Sequence, residues 1–265
     1  MKLFDSHCHI DDKIFNKDID SVLSRAKKAG VHAMMVVGVT QKSSVKAVKM
    51  AETHPGVFAA VGIHPHDATE CSEKSISHLV KLAGSPGVRA WGETGLDFNR
   101  MFSPQIDQEK WFVRQVEAAD LLNLPIIFHE RDSKGRFLKL LTKTHNNRRK
   151  GVVHCFSGSK TELAAYLDLG FYIGITGILT IKQRGEELRR LVSNIPADRL
   201  LIETDAPYLT PTPEKNRARR NEPAFVRSIL IKLAEVRREN PESLAEAIWK
   251  NTCRLFRIEE KEIPT

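Results

Sequence analysis

KDIDSVLSRAKKAGVHAMMVVGV, residues 17–39, contains one complete helix-to-strand step. From Lys17 to Ala29 the apolar residues recur at helical spacing, and Gly30 stops the pattern. Ala33 to Val39 is then a near-continuous apolar run, the form a parallel strand takes when both of its faces are covered. Upstream, Lys2 to Ser6 reads as the strand that feeds this helix. The same pairing repeats downstream. Helical patterns fall at Lys42 to Thr53, Ser75 to Ala83, Pro104 to Leu122, Ser133 to Thr144, Lys160 to Asp168, Arg184 to Asn194 and Pro223 to Asn240. Strand patterns fall between them at Val57 to Ile63, Val88 to Gly92, Pro125 to His129, Gly151 to His154, Tyr172 to Ile175 and Arg199 to Thr204. Eight such strands, each followed by a helix, predict an α/β fold: a (β/α)8 TIM barrel of the metal-dependent hydrolase type with an extra C-terminal helix from Glu242 to Phe256. Residues 1–265 read as one domain. An open doubly wound sheet would need a topological switch point and a Gly-rich phosphate loop, and neither is visible.

Six of the eight strand-like runs end in a residue that can bind a metal or move a proton. They close on His7-Cys8-His9, His64-Pro65-His66, Glu93, His129, His154 and the Glu203/Asp205 pair. In a barrel these ends share one face, so the residues converge. Any one of them alone reads as a hydrogen-bonded strand end. Together His7, His9, His129 and His154 with Glu93 and Asp205 offer ligands for two divalent ions, with Glu93 able to bridge them. Two ions roughly 3.5 to 4 Å apart can hold the attacking and the leaving oxygen of a phosphoryl displacement. Glu203 and Asp205, two apart in an extended run, should face the same end, with Asp205 as ligand and base and Glu203 in support. His64 and His66 read as phosphate contacts, His66 also as proton donor to the leaving oxygen, or else as a rigid strand end. Arg131, two residues after His129, sets a fixed cation beyond a metal ligand, as a phosphate contact or a rim ion pair.

The net charge of +8 and pI near 9.3 point to an anionic partner. Arg148-Arg149-Lys150 precedes a strand and belongs to the opposite face as a solvated loop; Arg217-Ala218-Arg219-Arg220 follows Asp205 and is placed to meet substrate phosphates. Four scattered cysteines form no disulfide framework, and Cys8 and Cys155 should point away from the metal. No apolar run approaches the roughly 18 residues of a membrane span, and the chain starts directly on a strand, so a cytoplasmic protein with no membrane contact and no obligate protein partner is expected.

The motifs Asp5-Ser6-His7-Cys8-His9, Gly62-Ile63-His64-Pro65-His66, Gly92-Glu93-Thr94-Gly95-Leu96-Asp97-Phe98, His129-Glu130-Arg131-Asp132, His154-Cys155-Phe156-Ser157-Gly158 and Ile202 to Leu209 resemble the TatD-type metal-dependent deoxyribonucleases, within the amidohydrolase-like barrels. The resemblance spans nearly the whole chain; Leu96 to Arg100 and Arg219 to Pro223 are similar to the TatD branch of that family. It implies a divalent-metal hydrolase with 3′ to 5′ exonuclease action on single-stranded DNA or DNA 3′ ends, with RNA as a second polymer, in DNA repair or turnover. It implies His7, His9, Glu93, His129, His154 and Asp205 as metal ligands for two ions (Mg²⁺, Mn²⁺ or Zn²⁺), and His64, His66 and Arg131 as substrate contacts. The TatD branch can lack the first His-x-His, which this chain keeps. Phosphotriesterase-like relatives carry a carbamylated lysine at the Glu93 strand end, where this chain has no lysine. The expected chemistry is in-line attack by a water that the cations acidify, with Asp205 orienting it or taking its proton, Arg131 and the loop carrying Arg219 and Arg220 holding phosphate oxygens, and Phe98, Phe102 or Tyr208 either stacking a base or packing the loops. Two rivals stand beside it: an ester or amide hydrolase such as a D-aminoacyl-tRNA deacylase, and a non-catalytic metal-bound barrel.

Overall fold

Along β2 (Val31–Val37) side chains alternate between two separate apolar clusters. Ala33, Met35 and Val37 join Phe4, Phe58, Ala60, Ala90, Ile127, Val152, Tyr172 and Leu201, whereas Met34 and Val36 pack with residues of the surrounding helices. Eight parallel strands paired in sequence order, with one cluster enclosed and the other between sheet and helices, make a nearly closed barrel. The computed structural model describes residues 1–143, 146 and 148–264. The strands are β1 (Leu3–Cys8), β2, β3 (Val57–Val61), β4 (Val88–Asp97), β5 (Ile126–Arg131), β6 (Gly151–Val153), β7 (Tyr172–Ile175) and β8 (Leu200–Ile202), paired in parallel in that order. Between and after them lie α1 (Ile19–Lys28), α2 (Gln41–Thr53), α3 (Glu73–Leu82), α4 (Gln105–Leu122), α5 (Arg136–Lys143), α6 (Lys160–Asp168), α7 (Glu186–Leu191) and α8 (Val226–Arg237). Thr40, Ser72 and Ser159 start α2, α3 and α6 with reciprocal capping boxes, which satisfy amide donors a helix start leaves open.

The seam between β1 and β8 bears directly on the site. Asp205 donates its N–H to the His7 carbonyl at 2.9 Å, and His9 donates to the Ala206 carbonyl at 2.7 Å. Below them the buried Asp5 carboxyl accepts from the Thr204 amide at 2.8 Å and bonds the Thr204 hydroxyl at 2.5 Å. Burial pushes the Asp5 carboxyl up to about 8, against the pull of those hydrogen bonds. The seam therefore locks His7 and His9 beside Asp205. At the other end, α9 (Pro241–Phe256) brings Trp249 and Phe256 against Phe4, with ring centroids 6.1 and 6.3 Å away, and plugs the barrel. The C-terminal ends of the strands are left as the open mouth.

Element boundaries differ from the sequence reading in two informative places. The run expected to stop at Gly92 continues as β4 to Asp97 and pairs Gly95 with His129 and Asp97 with Arg131. Gly95 has φ +157°, and a Cβ there would lie 1.8 Å from the His129 carbonyl oxygen, so glycine is the strand's means of close approach and not its end. The helix expected from Arg184 to Asn194 is shorter, because Val192–Asn194 tightens into a 3₁₀ turn. Thr144, the expected end of α5, lies outside the described residues.

Candidate metal centre

Glu93 sits at the centre of the mouth, 3% exposed, with its two carboxylate oxygens turned to different partners. Oε2 lies 3.3 Å from His7 Nε2 and 3.9 Å from His9 Nε2. Oε1 lies 2.6 Å from His129 Nδ1, 3.5 Å from His64 Nε2 and 3.8 Å from His154 Nε2. Asp205 closes the first side, its Oδ1 3.4 Å from His9 Nε2 and 3.8 Å from His7 Nε2. Three donor triads result, each with its atoms within 4.8 Å of one another: His7/His154/Asp205, His7/His9/Glu93 and His64/Glu93/His129. His7 Nε2 faces His9 Nε2 at 3.1 Å, and His64 Nε2 faces His129 Nδ1 at 3.2 Å. Paired imidazole nitrogens backed by carboxylates fit divalent cations seated between them.

Charge is tightly balanced here. Burial pulls His129 down, yet Asp97 and Glu93 outweigh it and hold it at about 9. The same contest leaves His9 at about 9 through Asp205, and His154 at about 9 through Glu203 and Glu93. His7 and His64 fall below the usual range, first through burial and then through the neighbouring His154 and His129. Despite its burial, Glu93 is kept well below the usual carboxylate range by His64, His154 and His7, and Asp205 is lowered by His9 and His154. The donor carboxylates are thus anionic.

Behind these donors stands a set of orienting groups. Glu203, fully buried, places Oε1 2.9 Å from His154 Nδ1 and accepts the Cys155 amide at 2.6 Å, while Ser6 donates to its Oε2 at 3.3 Å. It fits because Gly174 has no side chain: a Cβ there would lie 2.5 Å from the carboxylate. The structure thus sets Glu203 behind His154 and away from the cleft, where it turns His154 Nε2 inward. Asp97, 1% exposed, does the equivalent for the other side: its Oδ2 lies 3.2 Å from His129 Nε2 and 2.9 Å from His66 Nε2. Reading the run only to Gly92 misses Asp97, although its position four residues after Glu93 in an extended run places it on the same face. Asp205 (φ 58°) and Cys155 (φ 49°) occupy the left-handed region, which non-glycine residues enter at a cost and which turns the chain at the ends of β8 and β6.

Several expectations change at this point. His64, read as a substrate contact, stands among the donors, because the turn at Pro65 directs its Nε2 at Glu93 and His129. Arg220 does not reach the cleft. It is held by Asp18 at 2.6 and 2.8 Å and Glu222 at 3.2 Å, donates to the Ile14 carbonyl, and lies 4.4 Å above the Phe15 ring. Arg219 is exposed and likewise outside the cleft wall. Arg131 and Tyr208 do line the cleft, whose volume is about 1000 Å³, and so does His66. Its other cations are Lys13, Lys42, Lys46, Arg100 and Arg184, scattered over four separate segments, which is why no charge run announced them. Cys8 points outward and bonds the Met35 carbonyl at 3.4 Å, but Cys155 lines the cleft, since its left-handed backbone breaks strand alternation. Arg149, expected in a solvated loop, is buried against Asp120 at 2.6 and 3.1 Å.

Known proteins place this chain. The family model for TatD related DNase matches residues 4–257. A protein of Salmonella typhimurium named 3′-5′ ssDNA/RNA exonuclease TatD is 43% identical over 259 residues, 97% of this chain and 99% of that protein. The Klebsiella pneumoniae protein of the same name is 42% identical over 97% of this chain and 98% of that protein. A crystal structure of a TatD homolog from Escherichia coli superimposes with a TM-score of 0.89 at 30% identity, covering 97% of this chain and 98% of that one. The chain belongs to the TatD-related DNase family.

Proposed function

We propose that this protein is a divalent-metal-dependent 3′ to 5′ exonuclease acting on single-stranded DNA and RNA, the activity named for its Salmonella and Klebsiella relatives. The observation that carries the reading is the division of Glu93 between two histidine sets at the floor of a cleft whose walls carry Arg100, Arg131, Arg184, Lys42 and Lys46. His7, His9 and Asp205 would hold one cation and His64 and His129 another, with Glu93 shared and His154 Nε2 reaching toward both Glu93 and Asp205. Bound cations supply an acidified water and stabilise charge on the oxygens of the phosphodiester. Asp205, kept anionic, takes the proton of the attacking water at a carboxylate oxygen. His66, held on Asp97 at 2.9 Å, gives a proton to the leaving oxygen. Arg131 and Arg100 neutralise the non-bridging oxygens, and Tyr208, 57% exposed on the opposite wall, covers the nucleoside beside His9.

The test uses metal-stripped protein with single-stranded DNA labelled at either end, Mg²⁺, Mn²⁺ or Zn²⁺ restored in turn, and matched RNA in parallel. Mononucleotides released from the 3′ end on adding metal are the expected outcome. Metal-loaded protein that leaves both polymers whole would overturn the reading, and aminoacyl esters would then be the substrates to try.

A further inference from the structure

Phe102 has no packing role that accounts for it. It is 66% exposed and is the sole phenylalanine among the exposed large apolar side chains of the described residues. Met101, 42% exposed, and Ile106, 77% exposed, flank it in sequence. An apolar loop tip in water is commonly a loose one. This one is fastened at both ends. Asp97 Oδ1 accepts from the Asn99 and Arg100 amides at 3.0 and 2.8 Å. Ser103, 1% exposed, donates to the His66 carbonyl at 2.8 Å and accepts from the Thr69 amide at 3.0 Å. Gln108 donates to the carbonyls of Asp97 and Ser103 at 3.1 and 2.8 Å. These bonds tie down the loop while its ring stays exposed.

Position supplies the rest. Phe102 lines the cleft, and its ring meets His66 edge to face, with centroids 4.8 Å apart and planes at 81°. His66 in turn lies 4.2 Å, centroid to centroid, from the donor His64. One histidine ring therefore separates the exposed phenyl from the metal centre, and Arg100, two residues before it, lines the same wall. A fixed aromatic face beside a cation and a phosphate-cleaving centre suits a nucleobase, and stacking accepts any base because each has a π-face.

Resting on the nuclease reading above, we infer that Phe102 is a substrate-binding platform that stacks one nucleobase flanking the scissile phosphate, so that the enzyme grips single strands without reading their sequence. Phe98, one residue past Asp97, is half-buried against the core and cannot serve. Duplex ends would be poor ligands, since a base must leave its partner stack to reach the ring.

Metal-loaded protein is titrated with fluorescent single strands carrying phosphorothioate linkages at the 3′ end to slow cleavage, intact or abasic at the last or the penultimate position. Phe102→Ala is expected to weaken binding of the intact strand roughly tenfold, the scale of one lost base–aromatic contact. Removing the base at one of the two positions should weaken the parent protein by a similar factor and leave the variant unchanged. Phe102→Trp should bind the intact strand as the parent does. Equal binding of the intact strand by Phe102→Ala, or equal loss from base removal in both proteins, would overturn the platform. A parent protein that binds no strand at all would instead remove the nucleic-acid reading and this inference with it.

Discussion

The two ends of the barrel handle buried charge in opposite ways. At the plugged end, Arg149 is buried against Asp120, and Arg257 donates to the Asn123 carbonyl at 2.9 Å around a cavity of about 240 Å³. The buried Arg149 there has its partner supplied by the fold, so that charge calls for no ligand. At the open end five histidines converge on two carboxylates, with nitrogen facing nitrogen at 3.1 and 3.2 Å. Such a set is costly to hold without a ligand, and the fold holds it with the Asp5–Thr204 seam and with Glu203 and Asp97 behind the rings. A site is recognised less by having charge than by having charge whose partner is not part of the chain.

If that contrast is right, the largest effect should come from the residue shared by both donor sets. Glu93→Gln keeps volume and removes the anion, so turnover should drop on the order of 10³-fold while circular dichroism stays that of the parent and bound metal per chain falls. A variant that cleaves at the parent rate would show that the centre works without its shared carboxylate. Next come the residues behind the rings. Asp97→Asn should lower metal affinity or activity about 10- to 100-fold, as loss of a histidine's orienting carboxylate does, and added metal should recover part of it. An unchanged metal titration would reduce Asp97 to an anchor for the Asn99 and Arg100 amides.

How much of this was legible before folding follows from distance along the chain. The converging strand ends could be read because periodicity marks each strand and barrel topology sends every C-terminal end to one mouth. His64 was visible but assigned to substrate, since nothing in His64-Pro65-His66 tells which way the turn aims a ring. Asp97 was hidden by ending the run at Gly92, when Gly92 and Gly95 let β4 continue and press against β5. The fate of Arg220 could not be read at all. Its partner Asp18 is 202 residues away, and a cation in a basic run looks the same whether it meets solvent, a phosphate or a buried acid.

That last ambiguity supplies the smaller tests. Arg220 clamps the long loop after β8 onto the chain before α1 through charged hydrogen bonds, so Arg220→Ala should lower unfolding free energy by about 1 to 3 kcal/mol, read by urea titration. Its KM for single strands should hold within about twofold, because the guanidinium is turned from the cleft. A large rise in KM with stability intact would return Arg220 to the substrate.

The smallest effect belongs to the plugged end. Arg148 and Lys150 are exposed beside the smaller cavity, at the far side of the barrel from Glu93. Surface charges raise the local concentration of a polyanion only within about a Debye length, roughly 8 Å at physiological salt. The double substitution Arg148→Ser with Lys150→Ser should therefore leave kcat/KM on short strands unchanged at that salt, apart from a slight loss at low ionic strength as the net charge falls. Longer strands provide the sharper form of the test, because they could wrap toward the opposite end while a short one cannot. Loss of activity that grows with strand length would mean that both ends of the barrel meet the substrate, and that the pairing seen at the plugged end leaves cations to spare.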